Sequence, residues 1–123
     1  MAVAFDVEGT DEFANWFLQL DDDEQAAVEV RVELLEAEGP NLKRPVVGEI
    51  VGSKFDPQMK EIRVSVGAAA LRILFIFDPR RTAVLLLGGD KSTGWKDWYR
   101  SAIPEADRLY EWYLEELKNE GLL

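Results

Sequence analysis

Residues 59–91, MKEIRVSVGAAALRILFIFDPRRTAVLLLGGDK, decide the predicted fold of this chain. Alternating apolar residues between glycine- and proline-bearing turns predict three consecutive strands, at Glu61–Val66, Leu71–Phe77 and Thr82–Leu87. The predicted turns between them are Gly67–Ala70 and Asp78–Arg81. Leu71–Phe77 is apolar on both faces apart from Arg72, which predicts that it is the central strand.

The segments before this stretch predict a short strand and two helices. Ala2–Val7 alternates apolar with other residues, and Thr10 or Asp11 is placed to cap a first helix. The pairs Asp21 with Glu24, or Asp22 with Gln25, have the spacing of a capping box at the start of a second helix. That helix is expected to run to about Glu38 and to end at Gly39-Pro40.

The remaining segments complete an α+β domain. Val46–Val51 predicts a short strand, Gly88–Lys96 a loop, and Pro104 the first turn of a final helix. We therefore expect a single domain over residues 1–123. In it a short N-terminal strand and a two-helix hairpin pack on an antiparallel sheet of about four to five strands, followed by a C-terminal helix.

Composition excludes several classes of site. The chain has neither cysteine nor histidine, so disulfides, thiolate metal sites and a near-neutral imidazole base are absent. Asp90 and Asp97 lack a third carboxylate at ligand spacing, so neither a metal nor another cofactor is expected. No apolar run approaches the roughly 20 residues of a membrane span, and the N-terminus has no cationic signal region. We expect a cytoplasmic protein.

The charge is distributed unevenly around a net value of −10. Residues 1–40 carry 12 acidic groups and one basic group, whereas residues 41–100 carry 11 basic and 6 acidic groups. One explanation is that helices are rich in glutamate and strands are not. The other is a cationic face that binds a phosphate-bearing partner, for which RNA is the first candidate.

The predicted pairing gathers cations on one side of the sheet. A hairpin centred between Ala68 and Ala69 sets Ser65 opposite Arg72 and Arg63 opposite Leu74, so that the two arginines are diagonal neighbours on the non-core face. From there both guanidiniums reach one phosphate. Further cations are expected near this patch, namely Lys60, Lys91 and Lys96. Ordinary solvated side chains on an exposed sheet face are the alternative.

This pattern suits phosphodiester chemistry without a metal. Two guanidiniums can hold a phosphate and stabilise the charge that develops during cleavage. In the absence of histidine, proton transfer would fall to a lysine of depressed pKa or to Tyr99. Near these groups lie aromatic residues that can stack on bases or, alternatively, pack the final helix, and loop cations that can touch phosphate: Trp95, Trp98, Lys54, Arg80 and Arg81.

Three segments resemble a known family: MKEIR (59–63), LRILFIFDPRRTAVLLLGGDK (71–91) and IPEADRLY (103–110). They are similar to the HigB or phage Gp49-like branch of the RelE/ParE superfamily of type II toxins. The resemblance implies a ribosome-associated mRNA endonuclease that an antitoxin, usually with a helix-turn-helix DNA-binding domain, holds inactive. Arg63 and Arg72 match the family's sheet arginines and Lys91 its lysine after the last strand. The chain departs from many HigB proteins in having GDKSTGWKDWYR (89–100) where they carry histidines and basic runs.

Three functions therefore compete. The first is mRNA cleavage on the ribosome, with Arg63, Arg72, Lys91 and Tyr99 as catalytic residues. RNA binding would add six more: Lys54, Lys60, Arg80, Arg81, Trp95 and Lys96. The second function is a non-enzymatic binder of the same fold, including a ParE-like inhibitor of DNA gyrase. The third is a degenerate toxin that only binds its antitoxin.

Overall fold

The computed structural model describes residues 4–92 and 94–123, with the side chains of Trp95 and Lys96 outside the description. A strand, two helices, four more strands and a long helix follow one another, with a short 3-10 turn at Gly39–Asn41 after the second helix. Their bounds are β1 Val7–Gly9, α1 Asp11–Leu18, α2 Asp22–Glu38, β2 Val47–Glu49, β3 Lys60–Val66, β4 Ala69–Phe77, β5 Ala83–Asp90 and α3 Trp95–Asn119.

All five strands form one sheet in the order β1-β5-β4-β3-β2. Every neighbouring pair is antiparallel except β1 with β5, which is parallel. β4 is the central strand, as predicted, and it is buried along most of its length because both of its faces are covered. The predicted α+β class, with a two-helix hairpin, a mostly antiparallel sheet and a C-terminal helix, is confirmed.

The sheet is covered on both faces, which corrects the prediction that the face with Arg63 and Arg72 is a non-core face. On the first face Val28 and Leu35 of α2 pack against Ile62, Ile73 and Phe75. On the second face α3 packs against the sheet through residues that form their own buried cluster, including Leu74, Ile76, Val84, Leu86, Ala102 and Ala106. The side predicted to lie away from the core therefore carries a second hydrophobic core. The apolar residues at positions 74, 76, 84 and 86 are its sequence signature.

Both N-terminal helices begin at the predicted caps. The Thr10 hydroxyl accepts a hydrogen bond from the backbone of Phe13, which satisfies one of the free N–H groups at the start of α1. Asp21 and Glu24 form a reciprocal capping box at the start of α2. Along the described chain, no helix is both long enough and apolar enough to cross a membrane.

The hairpin between β3 and β4 is tighter than predicted. Val66 pairs with Ala69, so the turn is the two-residue step Gly67-Ala68, where Gly67 takes a left-handed φ of 56°. Arg63 consequently pairs directly with Arg72, and the predicted pairing of Arg63 with Leu74 is wrong. The turn is two residues shorter than predicted, at its C-terminal end, and a shift of two residues preserves the alternation of faces along β4, so the two arginines still share one face.

The final helix begins at Trp95, nine residues before Pro104, which was predicted to lie in its first turn. The backbone N–H groups of Asp97 and Trp98 both donate to the carbonyl of Gly94, which starts the helix where a loop was predicted. Pro104 lies inside α3 and removes one helical hydrogen bond. Ala102 and Ala106, two residues before and two residues after Pro104, are both buried against the same face of the sheet, and this packing offsets that loss.

The N-terminal and second strands are also displaced from their predicted bounds. β1 occupies Val7–Gly9 because these residues pair with Ala83–Leu85 of β5. The predicted strand Ala2–Val7 falls partly on residues 1–3, which lie outside the described residues. β2 is confined to Val47–Glu49 by its pairing with residues 60–62.

The two adjacent glycines of β5 each lie beneath a tryptophan. A Cβ on Gly88 would stand 2.2 Å from the Trp16 ring of α1, and one on Gly89 would stand 2.0 Å from the Trp98 indole nitrogen of α3. Both rings reach the backbone because the glycines carry no side chain. Gly88-Gly89 is thus a packing feature that lets a helix approach each face of the sheet.

The close approach of Trp98 makes Gly89 intolerant of any side chain. We expect Gly89→Ala to destabilise the fold by about 1–3 kcal/mol, because the indole must move away from the sheet. Urea denaturation followed by tryptophan fluorescence measures this. Ser65→Ala, at an exposed strand position, is the control and is expected to stay within about 0.5 kcal/mol of the parent. Equal stability of the two variants would contradict the packing described for Trp98.

Candidate nucleic-acid interface

A buried glutamate on β3 organises the cationic residues of the sheet. Glu61 is 3% exposed. One of its carboxylate oxygens accepts a hydrogen bond from Arg63 Nε at 3.0 Å, and the other accepts from the Tyr99 hydroxyl at 2.5 Å. Arg72 Nε lies 3.9 Å from the oxygen that Tyr99 contacts. Glu61 therefore joins β3, β4 and α3 at one point.

Arg72 is buried at this point. Its side chain is 10% exposed, and one guanidinium nitrogen donates to the carbonyl of Leu71 at 2.8 Å. Its Nε has no hydrogen-bond partner among the described residues. The prediction that Arg72 lies on a non-core face is therefore wrong, because α3 covers that face. Arg72 acts on its surroundings through its charge, which burial leaves weakly screened.

Arg63 is the more accessible arginine of the pair. Its side chain is 37% exposed, and its guanidinium lies against the backbone of Gly48 in the edge strand β2. A Cβ at Gly48 would stand 2.4 Å from a guanidinium nitrogen, so only glycine leaves room for this arrangement. With Glu61 engaging Nε, Arg63 is held in place beside solvent.

Lys91 completes the group from the end of β5. Its ammonium lies 5.9 Å from the centre of the Tyr99 ring, and its backbone N–H donates to Ala70. Partial burial, followed by the positive charges of Arg72 and Arg63, lowers the pKa of Lys91, while Glu61 opposes this effect. Lys91 thus loses its proton more readily than an exposed lysine.

The pKa of Tyr99 is shifted in the opposite direction. Partial burial, followed by the hydrogen bond to Glu61, raises the pKa of Tyr99 to about 12. At neutral pH the phenol therefore stays protonated and donates to the carboxylate. Of the two groups that the sequence left open for proton transfer, the lowered pKa of Lys91 makes it the better candidate to accept a proton.

The raised pKa of Tyr99 makes a pH-dependent contribution to stability. The folded state holds this proton more tightly than the unfolded chain, so the contribution is complete below about pH 10 and disappears as pH rises toward 12. We expect the stability difference between the parent and Tyr99→Phe to shrink between about pH 9 and about pH 11. Urea denaturation at both pH values tests this. A difference that stays constant would contradict the bond to Glu61.

The other predicted contact residues lie apart from this group. Lys60 alternates to the opposite face of β3, with Ile62 and Val64, so it does not join Arg63. Lys54 pairs with Glu111 of α3 at 3.2 Å. Arg81 occupies the β4–β5 turn with a left-handed φ of 67° and is exposed.

The predictions for the side chains of Trp95 and Lys96 fall outside the described residues. The Trp98 ring packs over Gly89, which is the packing alternative.

Arg80 belongs to a separate polar cluster at the far end of the sheet. Asp78, whose side chain is fully buried, accepts hydrogen bonds from the backbone of Arg80 and Thr82 and from the Arg80 side chain. Arg80 also donates to the Tyr113 hydroxyl, which donates in turn to Glu8. This cluster fastens α3 to the β4–β5 turn, so Arg80 has a structural role in the fold.

Sequence reasoning missed Glu61, the residue that holds the site together. Its signal was present, because Glu61 and Arg63 are two positions apart in a strand and so share a face. The same face carries Arg72 once the strands pair. A lone carboxylate among three cations on one sheet face indicates a buried charge network.

The comparisons with known proteins agree with this architecture. A model of the family "Phage derived protein Gp49-like (DUF891)" matches residues 15–111. The chain belongs to the Gp49-like family. It is 50% identical over 99 residues to the HigB3 protein of Mycobacterium tuberculosis, covering 80% of this chain and 84% of HigB3. It is 38% identical over 105 residues to HigB2 of the same organism, covering 85% of this chain and about half, 52%, of HigB2.

Solved structures support the fold of this Gp49-like chain. A double mutant of Escherichia coli toxin RelE in the free state matches with a TM-score of 0.55 at 10% identity, covering 93% of this chain and 98% of RelE. The RelBE2 toxin–antitoxin complex of M. tuberculosis matches with a TM-score of 0.50 at 17% identity, covering 74% of this chain and 95% of the matched chain. The predicted resemblance to HigB and Gp49-like proteins is confirmed, and the fold is RelE-like.

Proposed function

We propose that this chain is the toxin of a type II toxin–antitoxin system and that it cleaves mRNA on the ribosome. The observation that carries the proposal is the gathering of Arg63, Arg72 and Lys91 around one carboxylate, Glu61. Three cations against Glu61 and the neighbouring Asp90 leave one net positive charge at this point of a chain whose total charge is −10. Such a point attracts a phosphate. The relatives HigB3 and HigB2 are named as toxins.

The exposure of each residue suggests its role. Arg63, the most accessible guanidinium, would bind the scissile phosphate, and the buried Arg72 would add positive charge behind it. Lys91, with its lowered pKa, is the candidate to take the proton of the attacking 2′-hydroxyl. Tyr99 would hold Glu61 away from the phosphate and present its ring beside Lys91. Trp98 is packed over Gly89, so we do not assign it a stacking role.

Induction of the chain in bacteria tests the proposal. The expected result is arrest of protein synthesis with new mRNA 5′ ends inside translated regions, mapped by sequencing. Blocked DNA supercoiling with intact mRNA would instead indicate the gyrase-directed function. Absence of any growth effect would favour the degenerate toxin that only binds an antitoxin.

A cognate antitoxin is the expected partner. One similar fold, RelBE2, was solved as a toxin–antitoxin complex. We propose that the reading frame beside this gene encodes the antitoxin and that this protein carries a helix-turn-helix DNA-binding domain. Co-expression of that frame should suppress the arrest, and continued arrest despite its expression would contradict the pairing.

A further inference from the structure

A cavity lies on the sheet face opposite the Glu61 group. It has a volume of about 570 Å³ and opens between the end of α2, β2 and the start of β3. That volume is within the range of sites that hold ligands or anchoring side chains. Its walls include Leu42, Val47, Phe75 and Phe77, which belong to the core beneath α2. The floor of the cavity is therefore apolar.

Cations surround the mouth of this cavity. Lys43, Arg44 and Lys60 line it, against a single carboxylate from Glu49. Within residues 4–92 and 94–123, none of these three cations makes an ion pair. In a protein with 24 acidic and 14 basic residues, three cations against one carboxylate at an apolar opening form a distinct recognition surface with a net positive charge.

The backbone of β2 borders the same cavity. β2 is the last strand of the sheet, and no strand of the described chain pairs with its outer edge. Val47, Gly48 and Glu49 all line the cavity. An extended segment running along β2 would therefore meet a strand edge, an apolar pocket and a cationic rim together.

We infer that this cavity binds an acidic segment of the cognate antitoxin, with an apolar side chain inserted into the pocket and carboxylates on Lys43, Arg44 and Lys60. The inference rests on the proposed toxin function and deepens it. A peptide fits better than RNA, because phosphates do not fill an apolar cavity and because Lys60 faces away from Arg63 and Arg72. The antitoxin would then grip the toxin at a point separate from its phosphate site.

Charge reversal at the rim tests the inference. The probe is the purified antitoxin encoded beside the gene, and its dissociation constant is measured against full-length toxin. We expect Lys43→Glu with Arg44→Glu to weaken binding by about tenfold or more, and added salt to weaken the parent complex. The matched control is Arg108→Glu with Lys118→Glu, an equal charge change on exposed positions of α3. Equal weakening in both variants, or none in the rim variant, overturns the inference.

Photo-crosslinking identifies the occupant. A benzophenone amino acid replaces Gln58, an exposed residue that lines the cavity, and the control position is the exposed Gln19 at the C-terminal cap of α1. The expected product is a crosslink from position 58, and not from position 19, to an antitoxin peptide rich in aspartate and glutamate. A crosslink to RNA, to a basic peptide or to nothing overturns the inference. If the parent toxin binds no antitoxin at all, the proposed system fails as well; if it binds but avoids the cavity, only the inference fails.

Discussion

Replacing Arg63 with alanine is expected to abolish the arrest of translation while leaving the fold intact. Arg63 is the most exposed arginine of the Glu61 group, and its guanidinium is fixed by Glu61 on one side and Gly48 on the other. A fixed cation beside a phosphate stabilises the charge that develops during cleavage, and losing one such group costs about 100-fold or more in rate. The measurement is the rate of mRNA cleavage in a translation extract.

Controls separate the loss of chemistry from the loss of structure. Arg63→Ala removes one charged hydrogen bond, which lowers the free energy of unfolding by about 1–3 kcal/mol and is checked by urea denaturation. Arg63→Lys keeps the charge but loses the planar fork, so we expect intermediate activity. Arg100→Ala, at an arginine whose side chain is 80% exposed, is the matched control and should cleave normally. Full activity in Arg63→Ala would contradict the assignment of the site.

The fold was largely predictable because its signals are local. Strand alternation, the capping box at Asp21 and the Gly39-Pro40 terminator each depend on a few neighbouring residues. The start of α3 was not predictable in this way, because Pro104 is a local signal for a helix start and tertiary packing outweighed it. The register of the β3–β4 hairpin was predicted wrongly because a two-residue turn and a four-residue turn preserve the same alternation of faces.

The sequence predicted that Arg63 and Arg72 lie together, but it did not predict how deeply Arg72 is buried. Charge on a shared strand face brought Arg63 and Arg72 together correctly, because side-chain direction in a strand follows from position alone. Arg72 is buried because α3 covers that face, and this coverage depends on packing between segments that are distant in sequence. The prediction that Lys60 joins this patch was wrong for a simpler reason: Lys60 and Arg63 are three positions apart in β3, so their side chains point to opposite faces of the sheet.

Replacing Glu61 with alanine is expected to be the most destabilising change in the site. Glu61 and Arg72 are buried with side chains 5% and 10% exposed, so the loss of the carboxylate leaves a guanidinium without its counter-charge in a poorly hydrated region. Removing one partner of such a pair costs about 3–5 kcal/mol. Folded domains are stable by only about 5–15 kcal/mol, so much of the protein is expected to unfold under mild denaturant. Urea denaturation measures this loss, with Glu49→Ala on the adjacent strand β2 as an exposed control.

A second substitution separates the buried charge from the loss of packing. If the cost of Glu61→Ala comes from the stranded guanidinium, adding Arg72→Met should restore part of the stability, because the double variant buries no uncompensated charge at that position. Simple addition of the two single effects would mean that the two side chains do not interact. Glu61→Gln provides a third comparison. Its amide oxygen can still accept from Tyr99 while its negative charge is gone, so its stability should fall between the parent and Glu61→Ala.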